Sequence, residues 1–178
     1  IEKTSLKGRI PSKLILTHAH FDHIGAAHQF KKKFDELLIY AHDWDAMAIE
    51  GKPGTSKITA ASWYGSSLTP VKVDHRFRKD ETVLDLNDKK LTILHTPGHT
   101  PGSIVVLYNH PESGLIVFGQ DIHGPFMEDF NSNKQDWRAS MKKVLARNPD
   151  ILCEGHFGII RGKEQVKQFI RGYLNRIH

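Results

Sequence analysis

The sequence predicts a layered α/β domain. Three patterns predict it: short apolar runs alternating with helical periodicity, four β-rich runs in mid-chain, and an amphipathic closing helix. The 178 residues suit a single domain spanning 1–178. A hydrophobic share of 39% and a charged share of 25% fit a folded globular chain rather than a disordered one.

Leu14 to Thr17 is a short apolar run of the kind that forms a buried strand. Helical spacing follows over 25–34. Leu37 to Ala41 reads as a second strand, and Asp43 to Glu50 as a short helix. Residues 51–70 are rich in Gly, Ser, Thr and Pro and predict a long irregular connection with room for one helical piece. Such a loop inside a compact domain is often functional. Thr82–Leu86, Leu91–Leu94, Ser103–Tyr108 and Leu115–Phe118 are β-rich runs. Asn87-Asp88, the Pro/Gly segment 97–102 and the hairpin-like Asn109 to Gly114 separate them. Trp137, Met141, Val144 and Leu145 share one helix face, and Asn148-Pro149 ends that helix. Ile151 to Cys153 is a brief strand. Val166, Phe169, Ile170, Tyr173, Leu174 and Ile177 give the closing helix its apolar stripe.

Bulk properties exclude several functions. The net charge of +5 is mild, and Lys and Arg are spread along the chain. The one basic triplet, Lys31-Lys32-Lys33, reads as a solvated helix end rather than a nucleic-acid patch. The single cysteine, Cys153, rules out an internal disulfide and fits a reducing, cytoplasmic setting. It falls on a predicted buried strand, where it would be inert. No apolar run approaches the length of a membrane span. The chain starts at Ile1 rather than Met and reads as the interior of a longer product, so it carries no information on a signal peptide. Its 12 histidines are scattered singly, unlike a tag.

The chemistry concentrates at His18-Ala19-His20-Phe21-Asp22-His23, directly after the first predicted strand. Strand ends are rigid platforms, and the loops leaving them carry function. In extended chain, positions 18 and 20 face the same side, so two imidazoles can reach one metal ion. Asp22 and His23 lie where a turn can aim them at a second ion. Imidazole and carboxylate suit zinc, iron or manganese. By chance, such a string arises with a probability of about 10⁻⁵ per start position. Three more candidates follow strands downstream. His99 sits in Thr96-Pro97-Gly98-His99-Thr100-Pro101-Gly102, Asp121 follows Gly119-Gln120, and His156 follows Glu154-Gly155. A lone histidine after a strand is usually a surface residue. Three repetitions of the same placement, beside the first cluster, point to ligands.

This pattern resembles the metallo-β-lactamase-fold hydrolase superfamily, in particular its glyoxalase II-like and lactonase-like members. The resemblance runs from the strand before His18 to the helix after His156. It implies an α/β (α+β) αββα sandwich and two divalent metal ions, zinc first, with iron or manganese as alternatives. By the resemblance, His18, His20 and His99 hold one ion, and Asp22, His23 and His156 hold the other, with Asp121 bridging. Asp22 would also orient the nucleophile. Two departures stand out. Only 17 residues precede His18, so the first strands of the sandwich are missing, leaving an N-terminally incomplete domain. Gln120 also interrupts the usual Gly-Asp at the bridging position. Relatives of flavodiiron type carry Glu where this chain has His20, which argues against a redox di-iron role.

The function expected is hydrolysis of a small ester, thioester or lactone. The glyoxalase II reading would expect a glutathione-binding C-terminal extension, and the one helix read after His156 is not expected to supply it. The alternatives are a mononuclear-iron persulfide dioxygenase using His18, His99 and Asp121, a nucleic-acid-processing metallohydrolase, and a degenerate domain that binds metal or a partner without turnover. RNA-clamping parts are not found, so the partner expected is a small molecule, with no membrane. Missing strands would expose apolar surface and favour self-association. His123, Phe126 and Phe157 are candidates for substrate binding, with Trp63 and Tyr64 as further pocket walls. Thr17, His95 and Glu154 are candidates to orient the ligands. Arg161 and Lys163 are candidates for an anionic group. His28, His42, His75, His110 and His178 are read as surface or core.

Overall fold

The computed structural model describes residues 8–177. Of the sequence expectations, that for His178 lies outside the described residues.

Two sheets stack between helical layers. The smaller sheet is parallel, ordered β1-β2-β3 from Lys13–Ile15, Leu38–His42 and His75–Phe77. The larger is ordered β4 to β9, from Glu81–Asp85, Lys90–His95, Ile104–His110, Gly114–Phe118, Ile151–Glu154 and Gly158–Arg161. It is antiparallel except where β7 pairs with β8 in parallel. The helices are α1 (Phe21–Ile24), α2 (Ala27–Lys33), α3 (Asp43–Ile49), α4 (Lys134–Ala146) and α5 (Lys163–Arg176).

Strand alternation divides the apolar residues into three cores. On β2, Leu38 and Tyr40 point between the sheets, while Ile39 and Ala41 point to the helices. On β5 and β6, Ile93, Ile104 and Val106 meet Tyr40 and Phe77 between the sheets. Their neighbours Leu94, Val105 and Leu107 pack against Trp137, Met141 and Val144 of α4 and Val166, Ile170 and Leu174 of α5. The α1 to α3 side closes with Ile24, Ala27, Ala46, Ala48 and Ile49. The layering is therefore helix, sheet, sheet, helix, as the resemblance implies.

Two local readings are corrected. The helix expected over 25–34 starts two residues later, as α2 at Ala27–Lys33, and Gly25 and Ala26 separate it from the unforeseen α1. Gly25 turns there with its N–H on the Phe21 carbonyl at 2.6 Å. A Cβ on it would lie 2.7 Å from that same oxygen. The strands β3 and β9 had no β-rich run to announce them. Their alternation is too short, at 3 and 4 residues, to give a period. Cys153 is on β8 as expected but only half-buried. Burial pushes its thiol up, away from reactivity. Among the described residues, no helix is long and apolar enough to cross a membrane.

The end of β2 carries a stacked imidazole pair. His42, 2% exposed, lies 3.8 Å from the ring of His95 on β5. Its Nδ1 accepts the Trp44 N–H and caps α3. Burial first, then His95, push His42 down to about 4 from 6.5, against a small opposing pull from Asp43. A depressed folded pKa means that the unfolded chain takes the proton first. The contribution is intact above pH 6.5 and lost as pH falls towards 4, worth roughly 3 kcal/mol. His42→Asn keeps a capping oxygen without the titration. Its melting temperature should fall less than the parent's between pH 7 and pH 4. Parallel curves would show that His42 makes no such contribution.

Candidate metal centre

All the predicted ligands gather at one edge of the two sheets. The loop leaving β1 brings His18 and His20, and α1 brings Asp22 and His23. The β5–β6 loop brings His99, the loop after β7 brings Asp121, and the β8–β9 turn brings His156. Two groups form. His18, His20, His99 and Asp121 are all buried, and each offers an atom within 4.8 Å of the others. Asp22, His23, Asp121 and His156 do the same on a more open side.

Asp121 belongs to both groups, one oxygen to each. Its Oδ2 lies 3.4 Å from His99 Nε2 and 3.8 Å from His18 Nε2. Its Oδ1 lies 3.0 Å from His23 Nε2 and 3.3 Å from His156 Nε2. Asp22 Oδ2 completes the open side, 3.3 Å from His156 Nε2 and 3.5 Å from His23 Nε2.

The protonation states fit a cation site. Burial first, then the neighbouring imidazoles His99, His23 and His20, hold His18 well below its ordinary value. Burial and His99 push His20 down to about 3. Burial opposes ionisation of Asp121, but hydrogen bonds from His23 and His99 outweigh it and hold the carboxyl far below the usual range. The same contact holds His23 above its ordinary value, against its own burial. Neutral His18 and His20 beside an ionised Asp121 are in the ligand forms a divalent metal needs. His18 Nε2 and His20 Nε2 are buried without a hydrogen-bond partner. Such atoms are costly unless something coordinates them. The residues present therefore fit a metal, and by donor chemistry one of the zinc, iron or manganese type.

Neighbouring groups fix the ligands. His99 Nδ1–H donates to the Pro125 carbonyl at 2.8 Å, which leaves Nε2 as a lone pair for the cluster. The Ser132 hydroxyl donates to the His99 carbonyl at 2.6 Å. Thr17 Oγ1 lies 3.2 Å from His18 Nδ1. Glu154 is buried, and its Oε2 accepts the N–H groups of His156 and Phe157 at 2.8 and 2.9 Å. Its Oε1 holds His123 Nδ1 at 2.8 Å. His95 instead binds the Pro101 carbonyl at 2.9 Å and touches no ligand imidazole.

The wall residues divide. His123 is brought in, its ring 5.3 Å from His156 and 5.0 Å from the exposed Phe157. Tyr64 reaches Asp22, whose charge and hydrogen bond add to burial in raising the phenol. Trp63 is exposed and packs on Phe130 at 4.9 Å. Phe126 is half-buried, its ring 5.1 Å from Trp137 and 6.3 Å from His99. Lys163 pairs with Asp150 at 3.5 Å, and Arg161 sits opposite Ile151 in the sheet, so neither is gathered with the cluster. Gln120 is 1% exposed, and neither of its amide atoms has a partner. Sequence reasoning missed Pro125, Ser132 and the buried Phe130, whose ring lies 4.3 Å from His20. A backbone carbonyl and a lone aromatic leave no mark in a sequence.

Glycine placement sets the His99 loop. Gly98 has φ +137°, and a Cβ there would overlap the Trp137 backbone. Gly98→Ala is expected to cost roughly 2 kcal/mol through strain and overlap. A thermal melt checks this, and an unchanged melting temperature would contradict the packing described.

A family described as the metallo-beta-lactamase superfamily matches residues 1–156. Among curated relatives, the chain is 35% identical to a probable metallo-hydrolase, YqgX, of Bacillus subtilis, over 64% of this chain and 50% of that protein. It is 35% identical to hydroxyacylglutathione hydrolase GloC of Haemophilus influenzae, over 80% of this chain and 67% of that one. It is 26% identical to acyl-coenzyme A thioesterase MBLAC2 of Gallus gallus, over 95% of this chain and 64% of that one. The chain thus spans about half to two thirds of these relatives. Among solved structures, the B3 metallo-beta-lactamase BLEG-1 matches with a TM-score of 0.71 and 27% identity, over 90% of this chain and 78% of that one. TTHA1623 in a di-iron-bound form matches with a TM-score of 0.69 and 26% identity, over 89% and 76%.

Proposed function

The chain belongs to the metallo-beta-lactamase superfamily, and on that premise we propose that it is a hydrolase with a dinuclear metal centre, acting on a small ester, thioester or lactone. The observation that carries this reading is Asp121, with one oxygen facing each donor group. We assign His18, His20 and His99 to one ion, Asp22, His23 and His156 to the other, and Asp121 to both. Two divalent ions supply Lewis acidity towards a carbonyl oxygen and lower the pKa of water towards neutrality.

The chain's own groups do the rest. Asp22, on the open side with its side chain 23% exposed, is the carboxylate placed to orient a water and take its proton at the oxygen not facing the other donors. The Pro125 carbonyl and Glu154 hold His99 and the His156 turn, so little reorganisation accompanies reaction. Five imidazoles with two carboxylates leave a cationic centre that suits an ester or an anion. Tyr64 and Trp63 on one side and His123 and Phe157 on the other give the opening apolar, hydrogen-bonding walls. A thioesterase among the relatives favours a thioester within the class. Zinc is the metal we assign first, with iron supported by the di-iron neighbour. The single cysteine favours a reducing compartment, and we propose the cytoplasm.

The test is a panel of ester, thioester, lactone and phosphodiester substrates. Hydrolysis of one of the first three should vanish on chelation and return with metal. Asp22→Asn should lower kcat by about 10²-fold or more. Activity that survives chelation would sink the proposal. So would one iron per chain with oxygen uptake, which is the dioxygenase outcome.

A further inference from the structure

Asp45 lies in the first turn of α3, away from every predicted ligand in sequence, yet it is buried at 1% exposure beneath the metal-ligand loops. A carboxylate there needs a reason, because burial alone raises its carboxyl and disfavours the charge. The reason lies in what it holds. Its Oδ2 accepts the N–H of Ala19, the residue between His18 and His20, at 2.8 Å. The same oxygen accepts the hydroxyl of Thr100, next to His99, at 2.7 Å. Its Oδ1 accepts the Gly102 N–H at 2.7 Å. Every one of these groups is a donor, so the ionised form is the one they satisfy.

The contacts explain residues that the metal does not. The Thr100 hydroxyl also lies 2.8 Å from Ser103 Oγ, which accepts the Thr100 N–H at 3.1 Å. Thr100 and Ser103 are fully buried. Gly102 has no room for a side chain, because a Cβ would come within 2.5 Å of the Asp45 backbone nitrogen. The second half of the Pro-Gly-His-Thr-Pro-Gly segment is thus shaped around Asp45.

We propose that Asp45 is the positioning residue of the buried metal group: through one carboxylate oxygen it sets the His18–His20 arm against the His99 arm. Its hydrogen bonds go to two backbone N–H groups and the Thr100 hydroxyl, not to a ligand ring. The two arms come from loops nearly 80 residues apart; their ligand side chains meet at Asp121 and at the 2.9 Å contact of His99 with His20, whereas Asp45 ties the loops themselves together. Its loss should therefore loosen the buried group and spare the open group of Asp22, His23 and His156. This rests on the metal reading above.

The experiment is a titration of the metal-free full chain with Co(II), followed by visible absorption, beside its thermal melt. The parent should bind two equivalents. In Asp45→Asn, which sets an amide N–H against backbone donors, one equivalent should weaken by 10- to 100-fold. Thr100→Val removes one link at constant volume and keeps the carboxylate. It should weaken the same equivalent by a smaller factor, and it carries the test if Asp45→Asn does not fold. A merely structural Asp45 would lower the metal-free melting temperature and leave both affinities unchanged, and that result would overturn the proposal. Loss of both equivalents alike would overturn it too. A parent that binds no Co(II) would instead overturn the metal reading itself.

Discussion

Everything at this edge of the molecule turns on one buried carboxylate between two sets of imidazoles. Asp121 is 3% exposed, cut off from the water that would ordinarily surround a carboxylate. Water would ordinarily solvate such a group, and burial would ordinarily neutralise it. Here four histidine nitrogens face it from two directions within 3.8 Å. The arrangement is stable only with positive charge shared around that carboxylate. The fold supplies the rigidity to hold it, since the ligands leave β1, β5, β7 and β8 where two packed sheets end together.

The two sides of the carboxylate differ in ways that matter for chemistry. The His18, His20 and His99 side is sealed, backed by Phe130 and fixed by carbonyl and hydroxyl partners. The Asp22, His23 and His156 side is open, and Tyr64, His123 and Phe157 stand around it. A sealed group suits tight, structural retention of an ion. An open one suits exchange with substrate and water.

Much of this was legible in sequence, for definite reasons. A ligand string such as His18 to His23 sits within one turn of chain, so its spacing alone reports its geometry. His99, Asp121 and His156 were legible because each repeats the same strand-then-ligand placement. The alternation on β5 and β6 was long enough to count, whereas β3 and β9 were not. Asp45 was illegible because its partners are the N–H groups of Ala19 and Gly102, which any residue but proline carries. Phe126 shows the limit of residue type alone: its ring packs on Trp137 and also lies 6.3 Å from His99, a placement no spacing announces.

The most direct measurement of the central claim is metal stoichiometry, by elemental analysis of the full chain purified without added metal, for the parent and Asp121→Asn. The account predicts two divalent ions per chain in the parent and a loss in the variant that exceeds one ion, because both sites lean on that carboxylate. A parent with no bound metal, or an Asp121→Asn protein that keeps both ions, would contradict it.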